Sequence, residues 1–284
     1  MIGPVPTQAE LPADISSAVR RALSEDIGTG DISAELLPSN QTSSAEVLCR
    51  KPAVLCGSAW FNEVFRQIDP AVKVIWLFQD GAQLSPGTIV CNLGGRTRAL
   101  LTGERSALNF LQLLSGTATA THACAQLLVG TRAVLLDTRK TLPGLRSAQK
   151  YAVVCGGGVN HRMGLYDAIL LKENHIHAAG GVAQAIRLAL ALRRQVQVEV
   201  ETLEQLAEAI GAGAQRVLLD NFPSSTLKQA VELARGRVKL EASGGIGQHN
   251  LREVAETGVD YISMGSLTKD VNAVDFSMRF VEKD

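Results

Sequence analysis

From Ala133 to Ser266 one pattern recurs six times: a short, continuous apolar run ends on a residue able to carry charge or expose backbone. AVLLDTRK ends at Lys140, DAILLK at Lys172, VQVEVE at Glu201, RVLLD at Asp220, VKLEASGG at Gly245 and DYISMGS at Ser266. Buried parallel strands read as such runs, and the intervening segments are long enough for helices, so the pattern predicts repeated βα units. Right-handed crossovers then bring all six carboxyl ends to one rim, where barrels of this kind bind ligands.

The first third has a different texture. Residues 11–27 predict a helix, with Ile15, Val19, Ala22 and Leu23 on one face, Asp14 as its cap and Gly28 as its stop. From about Thr42 to Leu93, AEVLCR, AVLCG, VKVIWLF and TIVCNL alternate with turn signals around one helical segment, SAWFNEVFRQI. Short strands with little helix between them predict an α+β domain. Thr102 to Val129 reads as a helical stretch with a weak point at Ser115-Gly116-Thr117. The predicted organisation is an N-terminal α+β domain over 1–112 and an α/β barrel domain over 113–269, with 270–284 returning to the first.

Length and composition set bounds on this picture. At 284 residues and 46% hydrophobic content the chain can fill a barrel and a smaller domain. Twenty-eight basic residues balance 28 acidic ones, so bulk charge favours neither nucleic acid nor an anionic membrane, and any cationic site must be local. Five cysteines without a CxxC pair argue against a disulfide framework and against a zinc site, and fit a reducing cytoplasm. The opening MIGPVPTQAELPADISS lacks the pattern of an export signal, and no apolar run approaches the roughly 20 residues of a membrane span.

The strand ends carry the chemistry. DTRKTLPGLR places Arg139 and Lys140 just past a strand, a fork and a point charge suited to carboxylate or phosphate, with Thr138 and Thr141 adding hydroxyls. The alternative is a solvated basic loop. GGGVNHRMGL supplies backbone able to approach a ligand, then His161 and Arg162; His161 is as readily a structural hydrogen bonder as a ligand. Lys172, on a strand end, is suited to a Schiff base or a carboxylate clamp. In VQVEVE the valines at 196, 198 and 200 would face helices while Gln197, Glu199 and Glu201 face the interior or mouth, with Glu199 a candidate buried ion-pair partner. Glu201 and Asp220, on neighbouring strand ends, suit Mg²⁺ or are two unrelated rim acids. Ser243-Gly244-Gly245 and Met264-Gly265-Ser266 read as an anion cradle in the last two loops.

These motifs, with EDIGTGDIS (Glu25–Ser33) and GERSALNFLQLLSG (Gly103–Gly116), occur in one order along almost the whole chain, and by them it resembles the quinolinate phosphoribosyltransferase family. Ser33, Ser106 and Glu173 are small departures from the family's usual Thr, Thr and Asp. The resemblance implies an incomplete, six-stranded α/β barrel behind an N-terminal α/β domain. It also implies a homodimer in which one chain's N-terminal domain covers the other's barrel mouth, so that Arg105 would act in trans. The reaction implied joins quinolinate and 5-phosphoribosyl 1-pyrophosphate into nicotinate mononucleotide, with release of pyrophosphate and CO₂ and with Mg²⁺ as cofactor. Arg105, Arg139, Lys140, His161, Arg162 and Lys172 would hold quinolinate's two carboxylates, and Thr138 would also be substrate-binding. Glu201 and Asp220 would hold ribose hydroxyls and metal, and the loops at 243–245 and 264–266 the 5-phosphate. Lys140, Lys172, Glu201 and Asp220 would be the catalytic groups, the lysines neutralising the carboxylate that is lost.

Three other readings compete. One is a paralogue that uses an acceptor without decarboxylation, against which the cluster Arg105, Arg139, Arg162 and Lys172 argues for a dicarboxylate. Another is a Schiff-base aldolase built on Lys172 or Lys140. The third is a non-catalytic phosphate-sugar binder, which would not need paired carboxylates.

Overall fold

The computed structural model describes residues 10–281. Residues 1–9, part of the opening read above for an export signal, and the last three of the C-terminal return lie outside it. In chain order the elements are α1 (Ile15–Ile27), β1 (Thr42–Cys49), β2 (Ala53–Val54), α2 (Ser58–Ile68), β3 (Lys73–Trp76), β4 (Gln83–Leu84), β5 (Thr88–Arg96) and α3 (Thr97–Leu127). Then follow β6 (Val134–Leu136), α4 (Arg146–Cys155), β7 (Ile169–Leu171), α5 (Glu173–Ala179), α6 (Val182–Ala191), β8 (Val196–Val200) and α7 (Leu203–Gly211). The chain ends with β9 (Arg216–Asp220), α8 (Ser224–Ala234), β10 (Lys239–Ser243), α9 (Leu251–Glu256), β11 (Tyr261–Ser263), α10 (Ser266–Lys269) and β12 (Phe276–Val281).

Two compact units result. One contains Ala123–Thr141 and Gly158–Lys269; the other contains residues 10–122, Leu142–Gly157 and 270–281. The division is therefore not the linear one expected at 112/113. Helix α4 joins the second unit because its apolar face packs there, with Tyr151 against Trp60 at 5.4 Å between ring centroids.

The second unit is an antiparallel sheet in the order β12-β1-β5-β3, with β12 pairing β1 from Ser44↔Val281 to Cys49↔Phe276. Helix α2 buries Trp60, Phe61, Val64 and Phe65, a stripe at helical spacing. Phe61 lies 5.2 Å from Phe65 and 5.3 Å from Trp76, so truncating it to Ala would cost about 3–5 kcal/mol. Two local expectations are corrected here. Asp14 sits at the N-cap of α1 but makes no cap bond with its side chain, which instead accepts from Ser147 Oγ at 2.7 and 2.8 Å. Ser115-Gly116-Thr117 does not break its helix, since α3 runs unbroken. A Cβ on Gly116 would stand 2.3 Å from the Asn272 carbonyl oxygen, so the glycine serves close packing of the C-terminal return rather than a bend.

The first unit is a six-stranded, all-parallel sheet in the order β6-β11-β10-β9-β8-β7. In chain order each strand neighbours the next except β6 and β7, and the last strand pairs back with the first. The sheet is thus a barrel open at one seam, with an isolated bridge, Leu136↔Val159, at its β6 edge. The valines of β8 are buried as expected, and from Gln197 through Glu199 to Glu201 exposure rises toward the mouth.

Candidate active site

Past β6, the backbone N–H of Lys140 donates to Thr138 Oγ1 at 3.0 Å, closing a tight turn, and Thr268 Oγ1 donates to the Lys140 carbonyl at 2.8 Å. These bonds hold the Thr138-Arg139-Lys140 loop beside the start of α10. A Cβ on Gly265 would stand 2.9 Å from Lys140 Cδ, so the Lys140 side chain lies across the Met264-Gly265-Ser266 loop. The loops after β6 and β11 therefore form one surface, which follows from the pairing of those strands.

His161 and Arg162 follow the open seam. Asp137, fully buried at the end of β6, accepts the His161 backbone N–H at 2.8 Å, and Arg162 Nη1 donates to the Ala168 carbonyl at 3.1 Å. Burial and then the nearby Arg139 guanidinium lower the Arg162 pKa from its ordinary value, with Asp167 and Glu199 opposing them. Lys172 Nζ reaches Glu199 Oε2 at 3.1 Å across the β7–β8 pair. Glu199 is the ion-pair partner the alternation suggested, though half-buried rather than fully buried.

Glu201 and Asp220 each lie one residue beyond the strand pair Val200↔Leu219, on neighbouring strands. Asp220 Oδ2 accepts from Asn221 Nδ2 at 2.9 Å. Two carboxylates at this spacing suit a hard divalent cation that keeps several waters, so the donor set fits Mg²⁺. Ser243 Oγ accepts from Ser263 Oγ at 3.0 Å, tying the β10 and β11 ends together, and Gly244 and Gly245 follow at φ +89° and +62°. Arg105 is exposed on α3, in the unit that does not contain the barrel.

The barrel floor holds residues that sequence reasoning did not single out. Glu241, fully buried on β10, is bonded by Gln197 Nε2 at 2.9 Å and by Arg216, whose guanidinium carbon lies 4.3 Å from the Tyr261 ring centroid. Burial alone would push the Glu241 carboxyl up, but the His161 hydrogen bond, the charge of His161 when it is protonated, the Arg216 charge and the Gln197 amide hold it at about 2. The available signal was the period of two in KLEAS, which puts Glu241 and Ser243 on the inward face.

Elsewhere, in the second unit, ligand atoms of Cys56, Asp80 and Cys155 lie within 4.8 Å of one another, a grouping that the spacing of the cysteines did not suggest. Asp80 accepts the N–H groups of Gly57 (3.0 Å) and Ser58 (3.2 Å) and the Tyr151 hydroxyl (2.9 Å). That accounts for the carboxylate as the cap of α2. Burial, with Cys155 and Asp80 adding to it, pushes the Cys56 thiol well up, which disfavours the thiolate a metal would need.

Comparison with known proteins decides the family. The profile described as the quinolinate phosphoribosyl transferase C-terminal domain matches residues 117–279, and that of the N-terminal domain matches residues 31–115. The chain belongs to the quinolinate phosphoribosyltransferase family. It is 43% identical over 257 residues to the probable nicotinate-nucleotide pyrophosphorylase [carboxylating] of Bacillus subtilis, covering 89% of each chain. It is 38% identical to the chloroplastic enzyme of the same name from Oryza sativa, covering 97% of this chain and 80% of that one. Its fold superposes on the nicotinate-nucleotide pyrophosphorylase of Francisella tularensis with a TM-score of 0.94 at 45% identity, over 97% of this chain and 100% of that one. In this family's terms the two profiles meet inside α3, the unbroken helix that carries Arg105.

Proposed function

We infer that the chain transfers the phosphoribosyl group of 5-phosphoribosyl 1-pyrophosphate to quinolinate with decarboxylation, giving nicotinate mononucleotide, pyrophosphate and CO₂ in NAD biosynthesis. Family membership supports the reaction, and the observation that carries the substrate assignment is the cationic group Arg139, Lys140, Arg162 and Lys172, borne by the segments that follow β6 and flank β7 in the barrel unit. Quinolinate's adjacent carboxylates give each fork a bidentate partner.

Arg139, Arg162 and Lys172 orient the pyridine so that its ring nitrogen faces the ribosyl carbon; positioning of this kind lowers the barrier without a side-chain nucleophile. The backbone groups of 243–245 and 264–266 hold the 5-phosphate, and Glu201 and Asp220 hold the ribose hydroxyls and Mg²⁺. Mg²⁺, when bound, supplies charge stabilisation to the departing pyrophosphate. As pyrophosphate leaves, the ribosyl centre becomes oxocarbenium-like, and the carboxylates of Glu201 and Asp220, holding the ribose, would offset that positive charge. Attack by the ring nitrogen makes a pyridinium, which stabilises the carbanion left when the neighbouring carboxylate departs as CO₂, and a proton from solvent then adds to that ring carbon to give nicotinate mononucleotide. Lys140 and Lys172 offset that carboxylate's charge until it leaves.

The exposed position of Arg105 outside the barrel unit supports a homodimer in which it completes the partner's quinolinate site. No helix among the described residues is long and apolar enough to cross a membrane, and five free cysteines fit a reducing cytoplasm. Incubating the purified protein with quinolinate labelled in the carboxylate beside the ring nitrogen, phosphoribosyl pyrophosphate and Mg²⁺ tests the reading. Labelled CO₂ should appear in step with nicotinate mononucleotide, and mononucleotide without CO₂, or no product, would overturn it.

A further inference from the structure

We propose that Glu241, through Gln197, fixes His161 as the neutral tautomer protonated on Nε2, and so positions Arg162 for quinolinate. The proposal rests on the reaction assigned above for its kinetic consequence but not for its structural one. The donor and acceptor order decides the tautomer. An ionised carboxylate only accepts, so Gln197 must turn its amide N–H to Glu241 Oε2, at 2.9 Å, and its carbonyl to His161. His161 Nε2 lies 3.0 Å from that carbonyl oxygen and must carry a proton. Nε2 also faces Glu241 Oε1 at 3.5 Å, a buried oxygen with no full hydrogen bond among the described residues, which again calls for a donor. At the other side of the ring, Nδ1 accepts the Arg162 backbone N–H at 2.8 Å and must be bare. Every link from Glu241 to Arg162 points the same way.

Glu241 and Gln197 are therefore positioning residues, acting on quinolinate through His161 and Arg162. Arg216 completes the floor by keeping Glu241 ionised.

Imidazole ¹⁵N chemical shifts of the labelled protein, with His161 assigned by loss of its signals in His161→Gln, should report a neutral ring protonated on Nε2. Glu241→Gln replaces one carboxylate oxygen by an N–H donor, so the chain loses its fixed direction and the Nδ1–H form appears. The KM for quinolinate should then rise on the order of tenfold to a hundredfold, as for a misplaced binding group, with the KM for phosphoribosyl pyrophosphate unchanged. The double variant Glu241→Gln with Gln197→Glu returns an acceptor to His161 and should restore both the tautomer and the KM. An Nδ1–H or doubly protonated ring in the unaltered protein would overturn the proposal, as would an unchanged quinolinate KM in folded Glu241→Gln. The tautomer is read without turnover. A protein with the expected tautomer that ignores quinolinate would sink the assigned reaction and leave the relay standing.

Discussion

Gly244→Ala tests the assigned phosphate loop at its most constrained atom. Gly244 has φ +89°, where a Cβ is disfavoured by about 1–2 kcal/mol. Space is the larger obstacle. The added methyl would stand 2.2 Å from Asn221 Oδ1 and 3.0 Å from the Asn221 backbone nitrogen. Asn221 cannot step aside cheaply, because its N–H donates to the Ser243 carbonyl at 2.8 Å and its side chain bonds Asp220 at 2.9 Å. Overpacking of this kind costs about 1–3 kcal/mol, so the two terms together come to about 3 kcal/mol.

Gly245→Ala is the matched control. Its φ is +62°, but the nearest atom to its Cβ, Asn221 Oδ1, is 4.0 Å away, leaving only the conformational cost of about 1 kcal/mol. Since Gly244 is only half-buried, the loop should yield rather than the barrel unfold. At about 1.4 kcal/mol per tenfold, phosphoribosyl pyrophosphate affinity measured by calorimetry without quinolinate should fall about a hundredfold for Gly244→Ala and about fivefold for Gly245→Ala. Thermal melts check that the fold survives. Equal affinities in the two variants, or a Gly244→Ala protein that loses stability but binds phosphoribosyl pyrophosphate normally, would refute the placement of the phosphate.

Three further outcomes are expected. Excess chelator should abolish turnover and Mg²⁺ restore it, while Asp220→Ala should weaken phosphoribosyl pyrophosphate binding more than quinolinate binding; activity persisting in chelator would remove the metal from Glu201 and Asp220. Arg139→Lys keeps the charge but loses the fork, so quinolinate affinity by titration should fall by about 1–3 kcal/mol, and nicotinate should remain a poor acceptor. Glu241, lowered from 4.5 to about 2, contributes stability that is complete above pH 4.5 and fades as pH falls toward 2. Denaturant midpoints across that window should fall more steeply for the unaltered protein than for Glu241→Gln, and identical slopes would contradict the depressed carboxyl.

The parallel strands could be read directly because burial on both faces forces continuous apolar runs, and the six ends fall where those runs stop. Other features depended on partners distant in sequence. Ser115-Gly116-Thr117 looks like a helix break by local propensity, yet the glycine is there because Asn272 packs against it. Asp14 has the right type and place for a cap, and tertiary structure diverts its carboxylate to Ser147. Glu241 was passed over because an acid inside an apolar run reads as an exception, and only Gln197, His161 and Arg216, from separate segments, give it a reason to be buried.

Strand β8 links these levels. Its inward face carries Gln197 at 6% exposure, the half-buried Glu199 and the exposed Glu201, three polar residues at three depths of one barrel. The deepest is bonded to Glu241 on one side and His161 on the other, since an unsatisfied amide there would cost about 1–3 kcal/mol. The middle one faces Lys172. The outermost, Glu201, is exposed at the mouth, where the proposed reaction assigns it to ribose and metal. A floor whose polar groups are bonded to one another cannot shift without breaking several bonds at once. Arg162, tied to that floor through His161, is therefore held at a fixed position before a ligand arrives, which is the condition under which binding a dianion costs little reorganisation.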